Sequence, residues 1–248
     1  PSHTPDTTTL PRPCYQVKSF TAETILELTP NPQYPDASRR PDVTIKAFKD
    51  VDAMKLALQS SSIDMAFTIT PDVAGQLEGQ SGIHVKSIDA GYQYFGRPNL
   101  VSGPLTDLKV RSALDLGLDR TAYLTALKGG TVANGAFAHY YSFAGTENLT
   151  TNPEEANRLL DEAGWVKSSD GIRAKDGQQL SLRLVTYAMR PDLSIIMQIM
   201  VSQLKELGIA ATTSVVDDIQ GAVKEGNYDL ALWAQHTAPT GNPSFFLN

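Results

Sequence analysis

The side chains of this 248-residue chain best suited to hold a metal ion are four histidines, His3, His84, His139 and His236. No two of them stand in His-x-His or i, i+4 spacing, so a metal centre built from protein groups alone is not expected. A metal bound through one or two protein groups is still compatible with the pattern. His236 is singled out by its place: it follows Leu230-Ala231-Leu232-Trp233, a run of buried-strand type, and opens the loop Thr237-Ala238-Pro239-Thr240-Gly241-Asn242-Pro243. Ligands bind α/β layers at such strand ends, although a loop histidine is otherwise an ordinary solvated residue. A second group is Tyr92, Tyr94 and Phe95 with Arg97, which offers a stacking face and a cation for a carboxylate. Alternate residues of a strand face opposite sides, so core packing accounts for half of that cluster. The carboxylate pairs Glu154-Glu155 and Asp217-Asp218 each open a helix, where the helix dipole explains them. Cys14, the single cysteine, forms no internal disulfide and no Cys-pair metal site. Nucleophile and phosphate-loop motifs of the Gly-x-Ser-x-Gly and Gly-x-x-x-x-Gly-Lys types are absent. Asn148-Leu149-Thr150 matches a three-residue glycosylation acceptor.

Composition narrows the classes. With 41% hydrophobic and 19% charged residues there is apolar material for a real core and too little charge for a disordered tail. The net charge is −6 with no polybasic run, which argues against nucleic acid as a partner. The most apolar region, near Leu193 to Leu207, is broken by Ser194, Gln198, Ser202, Gln203, Lys205 and Glu206, so nothing reads as a membrane helix. Pro1 to Pro13 has neither a charged n-region nor an apolar h-region, and the first residue is not Met. A mature form or an excised piece is the expectation.

The elements that must position these residues read as follows. Tyr15 to Phe20 and Thr24 to Leu28 form a hairpin ended by Pro30, Pro32 and Pro35. Val43 to Phe48 is a strand, and Asp50 caps a helix carrying Met54, Leu56, Ala57 and Leu58. Ile63 to Ile69 is expected as a strand, Val73 to Leu77 as a short helix and Ile83 to Ile88 as another strand, a βαβ alternation that suggests an α/β layer. Tyr92 to Gly96 is an aromatic strand. Thr106 is the candidate cap of a helix with Leu108, Val110, Ala113, Leu114, Leu116, Gly117 and Leu118 as its apolar stripe, and Asp119-Arg120 opens a second helix to Leu127. Asn152 caps a helix with Pro153 at its first position and Ala156, Leu159, Leu160 and Ala163 as the buried face. Asp170-Gly171 and Asp176-Gly177 flank a short hairpin. Leu180 to Tyr187 is a strand, Pro191 to Leu207 a helix ended by Gly208, Ile209 to Val216 a strand, Asp217 to Lys224 a short helix and Tyr228 to Trp233 the last strand.

Taken as a set, several stretches resemble the large family of solute-binding proteins that feed ABC importers for dipeptides, oligopeptides and nickel. Leu105-Thr106-Asp107-Leu108-Lys109-Val110-Arg111-Ser112-Ala113-Leu114, continuing to Leu118-Asp119-Arg120, is similar to the family's signature helix. Asn152-Pro153-Glu154-Glu155-Ala156 through Leu159-Leu160-Asp161-Glu162-Ala163-Gly164-Trp165 is similar to its second landmark. Asp52-Ala53-Met54, Leu58-Gln59-Ser60, Ile63-Asp64-Met65-Ala66 and Tyr228-Asp229 follow in the family's order, while Pro11-Arg12-Pro13-Cys14 stands where the family has Gly-Thr-Gly-Pro. The resemblance implies an α/β fold, a periplasmic-binding-protein-like lobe with a mixed sheet flanked by helices. It implies an irregular tail or hinge remnant over 1–14, the second lobe of a two-lobed protein over 15–234, and a ligand-side loop over 235–248 that starts the return to a missing first lobe.

Within the family, Leu232 to Gly241 resembles the branch that takes up nickel, often as a complex with a small chelator such as histidine. The implied site is His236 as metal ligand, Trp233 and Tyr94 as walls, Arg97 on a carboxylate, and Gln235 and Thr237 beside them. The resemblance implies no enzymatic activity and no resident cofactor, with Ni²⁺ or a nickel chelate as the transported ligand. It implies permease and ATPase partners, a place in the periplasm or on the extracellular face of the cytoplasmic membrane, and membrane contact only through a lipid anchor or permease docking. A di- or oligopeptide binder is the alternative within the family, and a small hydrolase or transferase using Asp or Glu near the aromatic cluster is the rival from another class.

Overall fold

The computed structural model describes residues 13–88, 90–145 and 150–247. The chain forms two compact units, Pro1–Val85 and Lys86–Asn248. The tail expected over 1–14 falls almost wholly outside the described residues, and so do Asn148 and Leu149 of the glycosylation pattern.

In the first unit, β1 (Tyr15–Thr21), β2 (Ile25–Pro30) and β3 (Val43–Lys46) form an antiparallel three-stranded sheet. The expected hairpin is present, and the turn between its strands places Glu23 at φ 57. Helix α1 (Val51–Gln59) is capped by Asp50, whose carboxylate accepts from the Ala53 N–H at 2.8 Å, and α2 (Pro71–Leu77) by Thr70. Ile63 to Ile69 and Ile83 to Ile88 are not strands, which corrects the βαβ reading of this unit. Both segments alternate in hydropathy, but neither finds an edge to pair with among the described residues, and Thr68 turns the first at φ 57. Alternation without a ladder leaves extended chain, and Met65 and Phe67 stay exposed.

The second unit carries the α/β architecture. Its four-stranded sheet has the order β4 (Tyr92–Pro98), β10 (Leu230–His236), β8 (Ser181–Tyr187), β9 (Ala210–Val216). Strands β8, β9 and β10 run parallel, and β4 lies antiparallel to β10, so the sheet is mixed. Helix α6 (Pro191–Glu206) connects β8 to β9 and buries Leu193, Ile196, Met197, Met200 and Leu204 against Leu182, Leu184, Leu230 and Leu232 on one face. Helix α7 (Ile219–Glu225) connects β9 to β10 and packs Ile219 with Val185 and Ala231 on the other. The connections from β8 and to β10 thus leave the sheet on opposite faces, which puts a topological switch point between β8 and β10.

Helices α3 (Leu108–Gly117), α4 (Arg120–Leu127) and α5 (Pro153–Glu162) extend the α6-side core with Val110, Ala113, Leu114, Ala156 and Leu160. At Gly117 a Cβ would stand 2.6 Å from Leu207 Cδ1 and 3.1 Å from the Ala156 Cβ, so only glycine allows α3 to lie this close. Asp107, not Thr106, caps α3: a 3₁₀ turn over Pro104–Thr106 engages Thr106 with the Gly103 carbonyl, and the Asp107 carboxylate accepts from Lys109 N–H at 2.8 Å. Leu108, expected in the apolar stripe, is exposed at the resulting first turn.

Two buried charges tie these elements together. Arg173, on β6 (Arg173–Lys175) of a small meander with β5 (Val166–Lys167) and β7 (Gln178–Gln179), is 1% exposed. It donates to the carbonyls of Leu207 at 2.8 Å and Trp165 at 2.5 Å, to Asn157 Oδ1 at 2.7 Å and to Asp161 Oδ1 at 2.5 Å. Asp229, 3% exposed, accepts from the Arg183 backbone N–H at 2.7 Å and its guanidinium at 3.0 and 3.1 Å, and its own carbonyl accepts from Asn99 N–H at 2.8 Å. Gly103, at φ 81, leaves room for that carboxylate, since a Cβ there would lie 2.5 Å from Asp229 Oδ1. The chain ends with α8 (Ser244–Leu247).

Trp165 and Trp233, the two tryptophans, both lie in the second unit and report on it alone. Arg173→Met keeps the apolar stem but removes the donor to four acceptors, of which only the exposed Asp161 can turn to water, at a cost of about 3 kcal/mol. The expected result is a lower urea midpoint by tryptophan fluorescence at an unchanged slope.

Candidate functional site

The candidate site lies at the carboxyl ends of β8 and β10, and strand pairing assembles it. The β4–β10 ladder is continuous for seven pairs, from Leu230 opposite Pro98 to His236 opposite Tyr92. Strand β10 therefore runs three residues beyond Trp233, and His236 is its last residue rather than the start of a loop. The hydrogen-bonding partner supplied by β4 overrides the low strand preference of Gln235 and His236.

Directly paired residues share a face, so the ladder sorts the six expected residues. Tyr92, Tyr94, Ala234 and His236 lie on the α6 face; Phe95, Arg97, Trp233 and Gln235 lie on the α7 face. Trp233 and Tyr94 do not wall one pocket, and Arg97 does not share a cavity with His236. Gln235 is paired with Gln93, and Thr237, just past the strand, is 0% exposed.

On the α6 face the rings form one array. The half-buried His236 imidazole meets the Tyr92 ring edge to face at 4.7 Å, and Tyr92 meets Tyr94 in the same way at 6.1 Å. Tyr92 and Tyr187, the latter at the end of β8, both donate to the Ala234 carbonyl, at 3.1 and 3.2 Å. Arg190 enters from the turn before α6. Its guanidinium carbon lies 4.5 Å from the Tyr92 ring centre and 5.3 Å from that of Tyr94, and Nη2 donates to the Tyr94 hydroxyl at 2.9 Å. Tyr94 in turn donates to Asp192, which stands 3.6 Å from Arg190 Nε. Arg190 and Asp192 flank Pro191, the first residue of α6, so the helix start holds both charges against β4. These two residues were not singled out from the sequence. The available signal was the Arg-Pro-Asp triplet closing a strand and opening a helix.

Burial, then the hydrogen bond to Asp192, pushes the Tyr94 phenol well above its ordinary 10.0. Burial raises Tyr187 in the same direction. The Thr237 hydroxyl has no hydrogen-bond partner among the described residues, an uncommon condition for a fully buried polar group. No three His, Cys, Asp or Glu side chains among the described residues converge on a point that would hold a metal ion. What the arrangement can do is bind: an imidazole for a metal, a guanidinium for a carboxylate, a carboxylate for an ammonium, and tyrosine faces for apolar stems.

Residues 14–248 match the family described as bacterial extracellular solute-binding proteins, family 5 Middle. The chain belongs to this family. The family is one of solute-binding proteins and not of enzymes. The chain is 26% identical over 243 residues to the nickel-binding protein NikA of Staphylococcus aureus, covering 94% of this chain and 47% of that protein. It is 28% identical over 188 residues to the oligopeptide-binding protein AppA of Bacillus subtilis, covering 71% and 33%. The crystal structure of a nickel ABC transporter from Bacillus halodurans superposes with a TM-score of 0.73 at 29% identity, over 95% of this chain and 50% of that one. The chain spans half or less of the length of these relatives.

Tyr94 keeps its proton more tightly in the fold than in the unfolded chain. The stability this contributes is therefore fully present below the ordinary tyrosine value of 10.0 and is lost as pH rises beyond it. Urea titrations from neutral pH upward are expected to show an alkaline loss that is smaller in Tyr94→Phe. Thr237→Val removes no protein hydrogen bond, so the same titration at neutral pH should show a change within about 0.5 kcal/mol or a gain. A loss above about 1 kcal/mol would show that the hydroxyl has a partner.

Proposed function

We propose that this chain contributes the ligand-holding strand ends of an extracytoplasmic solute-binding protein that captures nickel as a small chelate and delivers it to the membrane permease of an ABC importer. The observation that carries this reading is the juxtaposition of one metal-binding imidazole, His236, with the Arg190–Tyr94–Asp192 cluster across the Tyr92 ring. A nickel ion held by His236 alone would leave most of its coordination positions to other donors, and an amino acid such as histidine supplies them through its own nitrogen and oxygen atoms. The Arg190 guanidinium then suits the chelator's carboxylate, and the Tyr92 and Tyr94 rings flank its body. The likeness to nickel-binding relatives supports the same reading, and the proposed place of action is outside the cytoplasmic membrane, with the permease and ATPase subunits as partners.

The second reading is a di- or oligopeptide ligand, favoured by the Arg190–Asp192 pair itself. A guanidinium and a carboxylate side by side match the two charged termini of a short peptide without any metal. Metal dependence separates the two readings.

In a polypeptide of the relatives' full length, calorimetric titration with Ni²⁺ plus free histidine is expected to give saturable heat. His236→Ala should weaken that binding by roughly 10 to 100-fold, in the range of losses on disturbing a metal shell. Heat from a dipeptide pool alone, with His236→Ala unchanged, would replace the nickel reading with the peptide one.

A further inference from the structure

The residues that strand alternation sends away from His236 form a place of their own. Arg97 and Trp233 project from the α7 face of β4 and β10, as diagonal neighbours two pairs apart in the ladder: Arg97 is opposite Ala231, and Trp233 is opposite Phe95. Gln220, Val223 and Lys224 share one side of α7, at the i, i+3, i+4 spacing that lines a helix face. Together these five residues line an open groove of about 420 Å³, within the range of small-molecule clefts. Its floor is fixed, because Val223 and Trp233 pack on the cluster of Val185, Ile219, Tyr228 and Ala231, and the Tyr187 ring lies 6.0 Å from the indole.

The groove's two cations are unpaired. Among the described residues neither Arg97 nor Lys224 takes part in a salt bridge or a side-chain hydrogen bond, although the chain as a whole is acidic at −6. Two cations of one sign, held beside a partly buried indole and a side-chain amide, select for a ligand that brings negative charge and a flat apolar body. We infer that this groove is a second binding site, separate from the strand-end site, that takes a small planar carboxylate of the aromatic or heteroaromatic acid class. The guanidinium of Arg97 and the ammonium of Lys224 receive the carboxylate, Gln220 donates to it, and the ring lies on Trp233. The site is on the opposite face of the sheet from His236 and needs no metal, so it stands independently of the ligand proposed there.

The test uses the full 248-residue chain, isotopically labelled, with the indole N–H signals of Trp233 and Trp165 followed by NMR. Benzoate is expected to shift the Trp233 signal saturably and to leave Trp165 unmoved. Arg97→Gln and Lys224→Gln, both exposed substitutions, should each weaken the response at least tenfold, with an unchanged Trp165 signal showing that the unit remains folded. Benzyl alcohol, of the same shape without charge, and acetate, charged without the ring, should each give a weak response. No saturable shift with benzoate, an equal response to benzyl alcohol or acetate, or undiminished binding in the two variants would overturn the assignment.

Discussion

The structure of the second unit depends on a single buried carboxylate at the end of the sheet remote from the candidate site. Asp229 sits just before β10 and takes three hydrogen bonds from Arg183 of β8, while its carbonyl holds Asn99, just past β4. Three strands are thereby fixed at one point, and register follows along their length, because a slip of one residue would turn every side chain to the other face. Seven pairs further on, that register sets His236 opposite Tyr92 and Ala234 opposite Tyr94. The same alternation sends Trp233 and Arg97 to the other face. A charge at the far end of the sheet thus decides which residues share a face with His236.

At the strand ends, the chemistry is one of shared charge. Arg190 is spread over two tyrosine rings, a hydroxyl and Asp192, so no single partner neutralises it, and a ligand carboxylate can join the array by displacing part of it. Burial holds Tyr94 protonated, which keeps it a donor to Asp192 and orients that carboxylate. The topology explains why the array forms here: at the switch point between β8 and β10 the connecting helices α6 and α7 pack on opposite faces of the sheet. In this chain the rim at the strand ends comes from the sheet itself, with Arg190 and Asp192 at the start of α6 joining it and the core below remaining apolar.

Much of this fold is legible in the sequence where local chemistry and tertiary packing agree. Asn152-Pro153 with Glu154 and Glu155 announces α5, and Gly208 ends α6, because caps and dipoles act within one turn. Ile63 to Ile69 and Ile83 to Ile88 misled because a two-residue period describes only half of a strand; the other half is a neighbour to pair with, which no local pattern contains. His236 was placed just after a buried strand, and its own strand state was not legible, since β4 supplies the hydrogen bonds from more than a hundred residues away. Arg190 and Asp192 stayed hidden for a related reason. Near a helix start they read as solvated capping charges, and only the fold brings them to Tyr94 and Tyr92. Trp233 and Arg97 were grouped with His236 through the family resemblance, although strand alternation sends them to the opposite face.

The central claim is that the carboxyl ends of β8 and β10, and not another set of histidines, receive the metal chelate. The most direct measurement is paramagnetic line broadening in the NMR spectrum of a labelled polypeptide of the relatives' full length on addition of Ni²⁺ with L-histidine. The account predicts broadening centred on His236, Tyr92, Tyr94 and Arg190, falling away along β4 and β10 toward Asp229. Broadening centred on His84 or His139, or none near His236 at saturating chelate, would contradict it.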